Sequence, residues 1–133
     1  VQGSAPAPDA DLARQRTVVD AFLAAARGGD FDALLAVLDP DVVLRSDRAA
    51  LPGGSVVVRG AAAVARQALS FSRFAPFARP VLVNGTAGIV AVPGGRPFAV
   101  LGFTVRRGKV VEILILADPE RLRRLDLSVL DDR

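Results

Sequence analysis

Between Pro97 and Leu116 the chain reads PFAVLGFTVRRGKVVEILIL, two apolar runs separated by Arg106-Arg107-Gly108-Lys109. No other stretch restricts the fold as much. Glycine in a two-residue turn supplies the positive φ that a tight hairpin needs, so the spacing predicts two long strands folded about Arg107-Gly108. Uninterrupted pairing sets Val105 opposite Val110, Phe103 opposite Glu112 and Leu101 opposite Leu114. One face then carries Ala99, Leu101, Phe103, Val105, Val110, Glu112, Leu114 and Leu116. The other carries Phe98, Val100, Gly102, Thr104, Val111, Ile113 and Ile115. A hairpin with one wet face alternates apolar and polar residues. This one is apolar on both sides, so both need cover. Exposing the second face would forgo about 1.5–3 kcal/mol per large side chain and present a patch large enough to aggregate. The first face is expected to take the chain's own helices. The second is covered either by another element of the chain, the terminal helix being the candidate, or by a protein interface through Phe98, Val100, Val111, Ile113 and Ile115.

The 133 residues make one domain with short tails, and with 51% hydrophobic residues it can hold a substantial core. Expected boundaries are a linker at 1–10, the domain at 11–125 and a tail at 126–133. Histidine, cysteine, tyrosine and tryptophan are all absent. That removes disulfides, thiolate metal sites and every imidazole-dependent triad. Carboxylates are scattered, so neither a metal nor a cofactor is expected. The net charge of +3 comes almost wholly from arginines interleaved with Asp and Glu, with no basic block or aromatic row, so no direct nucleic-acid contact is expected. No run approaches a membrane span and no signal peptide opens the chain, which points to the cytoplasm. A chain starting at Val1 without any methionine is expected to be a piece of something longer.

Helical spacing of Leu12, Val18, Val19, Phe22, Leu23 and Ala26 predicts a helix over 11–27, ended by Gly28-Gly29. Asp30 caps a shorter helix with Phe31, Leu34, Leu35 and Leu38 inward. Asp39-Pro40-Asp41 reads as a turn, Val42–Arg45 as a strand and Ser46–Gly54 as a loop. Val56–Val58 is a short strand, followed by a third helix after Gly60. Arg79–Val83 and Ala87–Val92 form a hairpin about Asn84-Gly85-Thr86. After the central hairpin, Asp118, Pro119 and Glu120 make a well-formed helix start. Helices cluster first and strands late, which defines an α+β fold, with a strongly curved, mostly antiparallel sheet wrapped around the N-terminal helices.

This order, with Arg14–Asp47 (RQRTVVDAFLAAARGGDFDALLAVLDPDVVLRSD), Arg59–Gln67, Ala78–Val92 and Arg96–Leu130 (including ADPERLRRLDL), resembles the NTF2-like cone in its SnoaL-like branch. More narrowly it is similar to the C-terminal domain of SigJ-type extracytoplasmic-function RNA polymerase sigma factors. The resemblance implies a regulatory, non-catalytic domain that contacts the sigma domains of its own chain, and RNA polymerase through them. A motif of the N-D-P-[ED]-[KR]-L kind falls on Ala117, Asp118, Pro119, Glu120, Arg121 and Leu122, and Asp118 to Leu122 are expected at that contact. The glycine-rich motif of the group is kept only as Asp47 followed by RAALPGG. Leu114 stands where an acid is expected. A homodimer and a small apolar ligand are the other expected partners.

The alternative implied by the same fold is a SnoaL-like isomerase or cyclase for a polyketide- or steroid-like substrate. Such chemistry needs a carboxylate base and an oxyanion donor. Glu112 is the one acid within the hairpin, and the expected pocket comprises Phe22, Arg45, Phe103 and Glu112. Each has a plainer reading: core for the phenylalanines, a solvated strand end for Arg45, a strand-edge acid for Glu112.

Overall fold

A computed structural model describes residues 12–47, 56–70, 72–83, 85–92, 99–117, 122 and 127–129. The elements run α1 (Leu12–Arg27), α2 (Phe31–Val37), β1 (Leu38–Ser46), β2 (Val56–Arg59), α3 (Ala61–Leu69), a 3-10 turn (Ser72–Phe77), β3 (Ala78–Val83), β4 (Thr86–Ala91), β5 (Ala99–Arg106), β6 (Lys109–Leu116) and β7 (Leu127–Val129). The linker over 1–10, Phe98 and the Asp118–Arg121 helix start lie outside the described residues.

Each helix boundary has a local cause. Gly29 at φ 64° closes α1, where Gly28 N–H and Asp30 N–H return to the carbonyls of Ala24 and Ala25. Asp30 Oδ1 then accepts from Ala33 N–H at 3.0 Å, capping α2. The strand β1 starts at Leu38 rather than after a turn. Its pairing with β6 lapses between Leu38 and Val43, where Asp39 Oδ2 accepts from Asp41 N–H.

Seven strands form one sheet in the order β2-β1-β6-β5-β4-β3-β7. All neighbours are antiparallel except β1 and β6, which run parallel. The hairpin β5–β6 is central, and its turn is as expected: Arg107 and Gly108 both have positive φ, 55° and 76°, the geometry that matches strand twist.

Beyond the turn the register departs from expectation. Val105 pairs with Val110, but a bulge follows, and Thr104 faces Glu112, Phe103 faces Ile113 and Leu101 faces Ile115. One additional residue on β6 turns every later side chain to the opposite side. Ile113 and Ile115, 0% and 1% exposed, therefore point inward with Phe103 and Val105, while Glu112 and Leu114 point outward. The cause is energetic: the bulge trades Glu112 for an isoleucine in the interior, and an unpaired buried carboxylate would cost several kcal/mol or more.

The inner face packs on the helices through Val18, Val19, Phe22, Leu34, Val64 and Ala65, with Leu44, Ile89, Phe103, Val105, Val110, Ile113 and Ile115 from the sheet. A second, smaller cluster lies on the outer face: Val81, Val83, Val90 and Val100, with Leu122 and Val92 against it. Leu122 and Val92 thus cover part of the β3–β5 side of that face.

Candidate interaction surface

The four expected pocket residues divide between the two faces of the sheet. Phe22 and Phe103 are buried together, their rings edge to face with centroids 5.0 Å apart. Arg45 and Glu112 sit outside, joined by a hydrogen-bonded ion pair in which Arg45 Nε donates to Glu112 Oε2 at 3.0 Å. The bulge is what separates Glu112 from Phe103. Two surface hollows, of about 510 and 440 Å³, are formed by described residues. One is lined by Ala13, Arg14, Thr17, Val18, Arg107 and Gly108, the other by Asp20, Leu23, Ala24, Arg27 and Ala78–Pro80. None of the four expected pocket residues lines either. Among the described residues no three acidic side chains converge into a metal site.

Of the residues expected at an outer interface, Ile113 and Ile115 are core. Val100 is also buried, under the Leu122 cluster, and Val111 is half-buried at the bulge. Leu122 packs on the outer cluster.

Among the described residues, those left open on the outer face lie on the β2-β1-β6-β5 side. Strand registers align Val57, Arg45, Leu114 and Gly102 in one row across it. Val57 and Leu114 are 48% and 42% exposed. Gly102 forms the floor beside Leu114: a Cβ added there would meet no atom of the described residues within 4 Å. Its neighbour Gly88 is the opposite case, since a Cβ would come within 2.6 Å of the Leu101 carbonyl and of Val83 Cγ2. Flanking the row is Arg59, opposite Val43. Sequence reasoning missed Val57, Arg59 and Gly102. The signal was present in Val56-Val57-Val58-Arg59, where alternation sends Val57 and Arg59 to the same side, but only the register shows that they meet Arg45 and Leu114.

One further tie concerns both segments singled out by the resemblance. Asp47 N–H donates to the Ile115 carbonyl at 3.1 Å, and Asp47 Oδ2 accepts from Ala117 N–H at 2.9 Å. The ends of the parallel pair β1 and β6 are stitched together just before residues 48–55 and 118–122.

These features define an α+β domain with a bent mixed sheet packed on N-terminal helices, the NTF2-like fold. A solved NTF2-like protein from Burkholderia xenovorans LB400 superposes with TM-score 0.54 at 26% identity over 86% of this chain and 96% of that one. A de novo designed protein with a curved β-sheet gives 0.60 at 20% identity, over 85% and 92%. The chain is similar to the ECF RNA polymerase sigma factor SigJ of Mycobacterium tuberculosis, 34% identical over an alignment of 117 positions that covers 78% of this chain and 38% of SigJ. The SigJ crystal structure matches with TM-score 0.67 at 30% identity, covering 82% of this chain and 44% of that one. The chain therefore spans less than half the length of this relative. No protein-family model matches the chain.

Proposed function

We propose that this chain is the regulatory, non-catalytic C-terminal domain of an extracytoplasmic-function sigma factor. It would act in the cytoplasm by contacting the sigma domains of its own polypeptide and, through them, RNA polymerase. The observation that carries the reading is the 34% identity to SigJ over 78% of the chain, well above the likeness to NTF2-like structures in general. The geometry supports it: Glu112 is salt-bridged on the outer face and lies away from Phe22 and Phe103, so Glu112 gives the isomerase alternative no enclosed base. No described helix is long and apolar enough to cross a membrane. A small apolar ligand and a homodimer belong to the same proposal as modulators of the contact.

The test is transcription from a cognate promoter by the sigma polypeptide with and without this domain, at equal concentration. A changed yield of at least several-fold supports the reading. Identical yields, together with turnover of a steroid- or polyketide-like substrate that is lost in Glu112→Gln, would replace it by the enzyme.

A further inference from the structure

Among the described residues, one half of the outer sheet face is covered and the other half presents a defined chemistry. Val57 and Leu114 project from the row and the open floor at Gly102 lies beside Leu114. Neighbouring strands lie about 4.8 Å apart, so the four-strand row spans roughly 14 Å. That is close to the diameter of one α-helix with its side chains, about 10–12 Å.

Charge decides what kind of helix. Among the described residues, two guanidinium groups, Arg45 and Arg59, and one carboxylate, Glu112, stand in or beside the row. Arg45 commits only its Nε to Glu112, and no acceptor among the described residues meets its two Nη groups. Arg59 is exposed and engages no acceptor among the described residues. Forks of this kind are suited to bidentate carboxylates. A second copy of the same surface would bring like charges together, which costs association.

We propose that this open half-face receives a short acidic amphipathic helix, one large apolar side chain seated over Gly102 against Leu114 and carboxylates on Arg45 and Arg59. The surface stands on its own geometry. Its placement in a sigma polypeptide, where the helix would belong to the sigma domains, rests on the regulatory reading above.

The probe is a synthetic helix-forming peptide with leucines on one face and glutamates on the other. Its control carries lysine for every glutamate, and binding to the chain is read by fluorescence anisotropy. The glutamate peptide is expected to bind about tenfold or more tightly than the lysine peptide, with affinity falling as salt rises. Gly102→Trp fills the floor and Leu114→Glu removes the apolar contact; each should weaken binding about tenfold. Arg59→Glu should reverse the preference between the peptides. All three positions are open or exposed, and unchanged melting temperatures show that the fold is intact. Equal binding of both peptides, binding of neither, or insensitivity to all three variants overturns the proposal. So does a dimer in sedimentation that Leu114→Glu dissociates, which assigns the face to a second copy. The two readings fail separately. If domain deletion changes transcription while Leu114→Glu and Arg59→Glu in the sigma polypeptide do not, regulation stands and this surface falls. If the variants abolish peptide binding but deletion leaves transcription unchanged, the surface stands and the regulatory reading falls.

Discussion

Gly88 and Gly102 face each other across β4 and β5, yet their surroundings make them different residues. At Gly88 the added methyl of alanine would strike the Leu101 carbonyl, which cannot move without breaking the ladder, and the Val83 side chain. Gly88→Ala is expected to lower stability by about 1–3 kcal/mol. At Gly102 the same methyl enters open space, and Gly102→Ala should be neutral or stabilise by about 0.5 kcal/mol through lost unfolded-state freedom. Gly108 is constrained by its backbone instead, and Gly108→Ala should cost about 1–2 kcal/mol at φ 76°. Urea midpoints of the three variants check all of this together. The Arg45–Glu112 pair makes a contrasting case. With both side chains 40–50% in solvent (48% and 41%), Glu112→Gln should change stability by less than about 1 kcal/mol.

At the level of the strand, the bulge in β6 determines which side chains carry the core. Ile113→Ala should destabilise by about 2–5 kcal/mol, and Leu114→Ala by about 0.5 kcal/mol or less. A hairpin paired without the bulge would give the reverse order, so thermal or denaturant unfolding of this pair reads the register in solution. The turn that starts the hairpin was legible because Arg107-Gly108 has a local requirement for positive φ. The bulge was not, because Val110, Val111, Ile113, Leu114, Ile115 and Leu116 satisfy an apolar pattern in either register. Only burial of Glu112 against the helices separates the two, and that is a tertiary cost invisible to periodicity. The parallel pairing of β1 with β6 was hidden for a related reason: nothing in Val42–Ser46 names its partner. The same pairing places Asp47 beside Ala117, and Asp47→Ala should cost about 1–3 kcal/mol. Amide exchange at Ala117 should accelerate selectively in that variant.

For the molecule as a whole, the question raised by the two greasy faces has a divided answer. The helices take the inner face, and the C-terminal segment takes part of the outer one, through Leu122 on the Val81–Val100 cluster and β7 paired with β3. Ending the chain at Ala117 should therefore lower the melting temperature and raise the fluorescence of a hydrophobic dye. Val81, Val83, Val90 and Val100 would then lose their cover. The first three helices, the two hairpins and the sheet class could all be read from the residues. How the outer face is shared between self and partner could not, since it depends on where the last residues return. The parallel ends of β1 and β6 have a mechanical meaning. β1 and β6, far apart in sequence, end at a single corner, buttoned by the Asp47 carboxylate to the Ala117 amide. A load on either strand end is therefore shared by the other through that bond.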